Sequence, residues 1–369
     1  MERSKKPVRI GVVGCGLVAQ VMHLPYLAEL REQFRVVALC DLSPAALAHG
    51  GRQFPEAALH LDWRDLVDSD LDAVLVATPG SHAPIAIAAA RAGRHVLVEK
   101  PMCIEPGEGR EMIAAAEQAG VTLMVGYMKR YDPAYEELNA TLDRTGLSFA
   151  RITTLESPLA PYVSHYPLTR EADADPDLLA ELAADDARRV TLALGTDDEL
   201  TRRVYRDALL DSVIHELNGV QGLLGPPTTL HSARIWGEPH GVSFSLSFGS
   251  IESNFAWIDL PGIARYEQDW SFYGPNGRAS LIFPSPFLRN AVTELVREAG
   301  DGGTPTAWRT STTVAFDEAF KRELVHFHDC VTGGVAPRTG GEEGLRDVLL
   351  CQAIAQTHLE TVRLSEAAA

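Results

Sequence analysis

The sequence predicts two domains of different class: an α/β domain on a parallel sheet, then an α+β domain on a large, mainly antiparallel open sheet. Three observations carry this prediction. Residues 8–13 form an apolar run that enters the turn Gly14-Cys15-Gly16 and leaves through a helix-like segment. The following stretch repeats short apolar runs, each succeeded by a helical pattern, which is the rhythm of parallel strands joined by crossover helices. Beyond about Met128 that rhythm gives way to a series of strand-like runs.

In the first domain, residues 1–128, the strand at 8–13 is followed by Leu17 and Val18 at a helix N-terminus, and the strand at 35–40 is closed by Asp41. Residues 44–50 look helical, 73–77 form a buried strand ahead of Thr78-Pro79, and 81–93 supply another helix. The run 95–98 leads into Glu99-Lys100-Pro101, 105–119 look helical, and 121–125 complete the last strand. In a parallel sheet of this kind the chemistry collects at the C-terminal strand ends, so Thr78, Lys100 and Tyr127 fall on one rim.

The glycine turn decides what that rim binds. Gly14 and Gly16 let the backbone approach a pyrophosphate at the helix N-terminus, and the small Ala19 lets that helix sit close to the sheet. A lone GxGxxA often marks no more than a tight turn. Here it lies between a strand and a helix, and Asp41, 25 residues beyond Gly16, is placed to accept both ribose hydroxyls. The first domain is therefore a Rossmann dinucleotide domain, with Gly14, Cys15, Gly16, Leu17, Val18, Asp41, Thr78, Pro79, His82, Glu99 and Lys100 as candidate cofactor residues. Asp41 repels a 2'-phosphate and Leu42-Ser43 supplies no compensating arginine, so NAD is preferred, while Ser43 leaves room for NADP.

The second domain, residues 129–369, carries strands at 148–155, 229–236, 242–248, 255–260, 266–273 and 279–283. Residues 158–203 form a long excursion containing the acidic stretch 171–177, and 318–330 and 342–362 look helical, placed to pack back on the first domain.

Composition narrows the partners. With 369 residues and 46% hydrophobic content the chain is long enough for two cored domains. A formal charge of −17 disfavours nucleic acid and anionic membrane surfaces, without excluding a local basic pocket. The five cysteines are scattered with no CxxC pair, which argues against a disulfide framework or a structural zinc site, and no metal site is expected. The polar start 1–7 runs straight into a strand and no apolar run is long enough for a bilayer, so the cytoplasm is the expected compartment.

At Glu99-Lys100-Pro101 the chain resembles the glucose-fructose oxidoreductase and inositol dehydrogenase (Gfo/Idh/MocA) superfamily. The resemblance extends over the glycine loop, Ala77-Thr78-Pro79 with His82, residues 126–133, residues 211–215 and the late segment 340–350. It implies that Lys100 and His215 face the substrate carbon beside a nicotinamide, with Asp211 nearby. It further implies a sugar, nucleotide-linked sugar or cyclitol as substrate. The runs 234–236 and 255–258 carry large apolar groups on successive strands, and the resemblance implies a homodimer or homotetramer through the exposed face of the second sheet, with packing against helices of the same chain as the alternative source of the alternation.

The residue types agree with these roles. Pro101 restricts the backbone after Lys100, and Asp211 and His215, four apart on a helix, share a face. Histidine has the pKa for proton exchange with a hydroxyl, while Lys100 polarises the same oxygen. Tyr127, Lys129, Arg130 and His165 are further substrate candidates; for the Lys129-Arg130 pair a rim salt bridge competes with an anionic substrate group, and for His165 loop packing competes. His82 shapes the nucleotide pocket or caps a helix. Three positions depart from the family pattern: Gly80 for asparagine, Asn218 for aspartate, and Lys129 for a smaller polar residue. His326 and His328 do not share a helix face, and His215-Glu216 lacks the second histidine of HExxH, because Gly219 stands there. The expectation is an NAD(P)-dependent oxidoreductase moving hydride to or from a secondary alcohol or ketone carbon. The alternative is a nucleotide-sensing or scaffolding protein on the same fold.

Overall fold

The computed structural model describes residues 6–170, 173–275, 277–300, 303–304 and 306–367. Two compact units are present: one from the described residues of Met1–Met128, Tyr166–Gly195 and Phe320–Leu349, the other from those of Lys129–His165, Thr196–Ala319 and Leu350–Ala369.

The first unit is built on strands β1 (Val8–Val13), β2 (Phe34–Cys40), β3 (Ala58–His60), β4 (Ala73–Val76), β5 (His95–Glu99) and β6 (Leu123–Gly126). They form one sheet in the order β3-β2-β1-β4-β5-β6, with every neighbouring pair parallel. The chain reverses its winding direction between β1 and β4, and the crevice beyond their C-terminal ends is where such sheets take ligands. β1, β4 and β5 are apolar runs because helices cover both sheet faces, and Ile10, Val12, Val74, Leu75, Val96 and Val98 are fully enclosed. β3 escapes a sequence search because it has three residues and two of them are exposed. Helix boundaries follow local capping chemistry. Ser43 Oγ accepts from Ala46 N at the start of the helix Pro44–Gln53, and Glu105 does the same for Glu108 N before Pro106–Ala119. Gly120, at φ 65°, ends that second helix in the left-handed region, which glycine alone adopts without cost.

Much of the excursion belongs to this first unit. Asp175 accepts from Asp177 N and Pro176 opens the helix Pro176–Leu194, so the acidic stretch is a helix start; Glu171 and Ala172 lie outside the described residues.

The second unit is built on β7 (Phe149–Glu156), β8 (Thr229–Trp236), β9 (Gly241–Phe248), β10 (Ile251–Asp259), β11 (Glu267–Gly274), β12 (Gly277–Phe283), β13 (Glu294–Gly300) and β14 (Ala307–Thr313). Their order is β14-β13-β12-β11-β7-β10-β9-β8, with β7–β10 the parallel pair and all other neighbours antiparallel. One face is buried: Ile152, Phe255, Trp257, Trp270, Phe272 and Leu281 lie on it, and Gly219 of the helix Ile214–Leu224 stands so close to the Trp270 ring that no side chain fits between them. The period-2 alternation puts Arg151, Ser232, Arg234 and Asn254 on the other face. Within the runs 234–236 and 255–258, Ile235, Phe255 and Trp257 lie on the buried face, while Trp236 and Ile258 alternate onto the other face and are half-buried.

Among the described residues, no helix is long and apolar enough to cross a membrane, and no group of three or more His, Cys, Asp or Glu side chains is placed to hold a metal ion.

Candidate functional site

In the first unit, the end of β1 turns sharply because Gly14 adopts φ +96° and donates to Cys40 O at 2.8 Å. A Cβ at Gly14 would lie 2.5 Å from the backbone carbonyl of Ala77, so the ends of β1 and β4 meet across this glycine. Gly16 differs. It is exposed, and a Cβ there would meet nothing within 4 Å. The open side of the turn is thus accessible to backbone approach, with half-buried Leu17 and Val18 following. Asp41 closes the arrangement: Oδ2 accepts from Cys15 N at 2.7 Å and Oδ1 from Ser43 N at 2.8 Å. Both carboxylate oxygens keep lone pairs for further donors. Burial, then the Asp41 charge, pushes the Cys15 thiol up to about 12, so it stays neutral and contributes through its backbone.

The β4 end offers Thr78, whose buried hydroxyl has no protein partner, beside Pro79. His82 begins the helix Ala83–Arg91 without capping it by its side chain. Instead Nε2 meets Thr78 O and Nδ1 meets Pro101 O, both at 2.7 Å, tying the β4 and β5 loops together. Burial lowers the His82 pKa, while the two carbonyls, which only an imidazolium can satisfy together, pull it upward. Next to it, Glu99 accepts from His23 Nε2 at 2.7 Å and from Lys100 N at 3.1 Å. Burial acts to raise the Glu99 carboxyl, but the His23 hydrogen bond and nearby positive charge hold it below the ordinary glutamate range. Lys100 follows, half-buried, joined to Pro101 by a cis peptide bond.

These observations fit a bound dinucleotide: an open glycine turn at a helix N-terminus, a carboxylate at the end of the next strand, and an orphaned hydroxyl at the switch-point crevice.

In the second unit, Asp211 is exposed on a π-helical stretch, Tyr205–Val213, and His215 is 9% exposed in the first turn of the helix Ile214–Leu224. Their four-residue spacing therefore crosses a π-to-α junction rather than lying in one regular α-helix. Glu216 points into the fold, where Thr154 Oγ1 donates to it and Gln268 Nε2 donates at 2.6 Å. Lys129 is buried too; its Nζ donates to Gln268 Oε1 and lies 4.9 Å from the Phe283 ring centroid. Burial raises the Glu216 carboxyl, and Lys129 opposes that shift. Arg130 donates to Asn218 Oδ1 at 3.2 Å. Lys129 and Arg130 are thus engaged within this unit, which accounts for two of the three family departures. His165 is exposed just beyond the helix Ala160–Val163, and Tyr127, in the first unit, is 1% exposed.

The third departure, Gly80, has φ +79° and faces the Asp186 carboxylate, which accepts from Ser81 N at 3.2 Å; a side chain at position 80 would collide with it. Sequence reading does not single out His23 and Asp186 in the first unit, nor the buried role of Glu216 in the second. None carries a local signal, because each acquires its role from a partner at least 60 positions away.

Residues 8–127 match the model of an oxidoreductase family with an NAD-binding Rossmann fold. Over that stretch the chain resembles the Gfo/Idh/MocA oxidoreductases. Inositol 2-dehydrogenase 4 of Saccharopolyspora erythraea is 28% identical over 95% of this chain and 93% of its own length. A 1-carboxy-3-chloro-3,4-dihydroxycyclohexa-1,5-diene dehydrogenase of Comamonas testosteroni is 37% identical, but the match spans 37% of this chain and 34% of that protein. Among solved structures, a 3-ketoreductase from Actinomadura kijaniata in complex with NADP superposes with a TM-score of 0.71 at 20% identity, covering 95% of this chain and 97% of that one. At that identity the likeness concerns the fold.

Proposed function

We propose that this protein is a member of the Gfo/Idh/MocA superfamily and an NAD(P)-dependent oxidoreductase acting on a secondary alcohol or ketone carbon of a sugar, nucleotide-linked sugar or cyclitol. The observation that carries the proposal is the Asp41 carboxylate bridging Cys15 N and Ser43 N beside the open turn at Gly16. Gly14, Cys15, Gly16, Leu17 and Val18 hold the pyrophosphate, Asp41 accepts the adenosine-ribose hydroxyls, and Thr78, Pro79, His82 and Glu99 shape the crevice leading to Lys100. When bound, the nicotinamide supplies or accepts a hydride at C4. Lys100 orients the substrate oxygen and stabilises negative charge on it, and His215 takes or returns the hydroxyl proton with Asp211 alongside. Tyr127 and His165 remain substrate-contact proposals, while Lys129 and Arg130 are assigned to supporting that face from within.

Asp41 favours NAD over NADP. The open face of the eight-stranded sheet is the proposed contact of a homodimer or homotetramer. The cytoplasm is the proposed compartment, consistent with Cys15, Cys40, Cys103, Cys330 and Cys351 all being buried thiols. The test is absorbance at 340 nm after mixing purified protein, either nicotinamide cofactor and a panel of sugars, nucleotide sugars and cyclitols. Turnover supports the assignment; tight nucleotide binding without turnover across a broad panel moves it to a nucleotide sensor or scaffold.

A further inference from the structure

We propose that Asp173, on the segment that follows the second unit's first strand, is a cofactor-discriminating residue: its carboxylate occupies the place a 2'-phosphate needs and so rejects NADP. The proposal rests on the dinucleotide reading above and deepens it.

Sequence alone credits Asp41 with this selectivity and leaves Ser43 as room for NADP. The fold removes that room. Ser43 Oγ donates to Asp173 Oδ1 at 2.5 Å, and Ala45 N, in the first turn of the helix Pro44–Gln53, donates to Asp173 Oδ2 at 2.9 Å. A serine hydroxyl and a free amide at a helix N-terminus beyond β2 are the donors that would receive a 2'-phosphate in a dinucleotide whose ribose lies on Asp41. Here an internal carboxylate takes both. Ser43 N donates to Asp41 on the other side, so two carboxylates flank one residue where a phosphate would add further negative charge. The Ser43 hydroxyl, then the Ala45 amide, hold the Asp173 carboxyl below the ordinary aspartate range, which keeps it charged at neutral pH.

Residues on either side of Asp173 are also anchored. The Gln20 amide brackets Thr169, accepting from its N at 2.9 Å and donating to its O at 3.1 Å, and Thr169 Oγ1 meets His49 Nδ1 at 3.0 Å. Farther on, Asp186 receives Ser81 N beneath Gly80, and Arg189 Nε donates to Glu108 at 2.5 Å. The described residues of Tyr166–Gly195 are therefore fastened to the first unit at Thr169, Asp173, Asp186 and Arg189, with Asp173 at the end of β2 where the ribose would lie.

The test is calorimetric titration of NAD+ and NADP+ into wild type, Asp173→Asn and Asp173→Ala, with a thermal melt of each. Asp173 is exposed, so both variants are expected to fold. Removing the charge that competes with a phosphate of charge about −1.5 to −2 for the same donors is expected to raise the NADP+ to NAD+ affinity ratio about ten- to hundredfold, less at high salt. Asp173→Ala, which frees Ser43 and Ala45, should show the larger change. A ratio that stays within about threefold of wild type in both variants, with NAD+ still bound, overturns the role of Asp173 and leaves the dinucleotide site standing. A wild type that binds neither nucleotide overturns both.

Discussion

Alanine at Gly14 and alanine at Gly16 are expected to fail in opposite ways, although the two glycines are neighbours in one motif. At Gly14 the φ of +96° alone costs an alanine about 1–2 kcal/mol. Its Cβ would also stand 2.5 Å from Ala77 C and O and 2.7 Å from Thr78 N, all backbone atoms that move only if β1 and β4 separate. Strain and overpacking together come to about 3 kcal/mol or more. For a unit of this size each kcal/mol lowers the melting temperature by about 2–4 °C, so Gly14→Ala should melt about 6–12 °C below wild type. At Gly16 the φ lies outside the left-handed region, the residue is exposed and the new methyl touches nothing. Stability should change by about 1 kcal/mol or less, in the favourable direction if the unfolded chain is stiffened. The methyl stands instead where the pyrophosphate must come close to backbone, and NAD+ affinity should fall tenfold or more, about 1.4 kcal/mol. Differential scanning calorimetry and isothermal titration read the two quantities separately. Wild-type NAD+ affinity in Gly16→Ala would refute the placement of the pyrophosphate, and wild-type melting in Gly14→Ala would refute the strained contact between strand ends.

Other consequences concern chemistry and pH. His215→Ala should lower turnover about 10²- to 10⁴-fold while NAD+ binding persists, because the proton path is lost and the cofactor unit is intact; near wild-type turnover would transfer the proton role to Lys100. Lys100→Ala should also slow the reaction, and a pH–rate profile that keeps the wild-type limb assigned to His215 would separate its orienting role from proton transfer. Asp41→Ala should weaken NAD+ binding more than tenfold and narrow the gap to NADP+, and an unchanged NAD+ affinity by titration would count against the ribose contact. Glu323, on the helix Ala319–Gly333, is fully buried with neither carboxyl oxygen hydrogen-bonded; burial, then the Glu99 charge, raises its pKa well above the ordinary value. The folded state thus binds more protons than the unfolded state once pH exceeds the unfolded glutamate value, and stability falls by about 1.4 kcal/mol per pH unit until the folded pKa is passed. Glu323→Gln removes this slope, so denaturant unfolding from pH 5 to 8 should show a flatter profile than wild type; parallel profiles would sink the assignment.

The cofactor half of the site is legible in the sequence because its determinants are local. A strand, a glycine turn and a helix start occupy consecutive residues, and Asp41 ends the next strand; backbone geometry at Gly14 and the hydrogen bonds of Asp41 follow from those short-range constraints. The parallel order of the first sheet follows from the same alternation of strand and helix, and β8 matches its sequence-based bounds at both ends, with burial alternating from Ala233 to Ile235. β13 and β14 were not anticipated. Almost every residue of β14 is exposed, so edge pairing rather than a hydrophobic pattern makes it a strand.

What only the tertiary structure decided are the long-range pairings. The composition of 158–203 shows an acidic excursion, and nothing in it tells that Asp173 reaches Ser43 or that Asp186 fills the space left by Gly80, since those partners lie more than 100 residues away. The same holds for Lys129: a lysine beside an arginine reads as a rim cation until the fold closes Gln268, Glu216 and the Phe283 ring around it. A charged side chain takes its role from the dielectric and the partners supplied by distant segments, whereas a glycine turn takes its role from its own backbone.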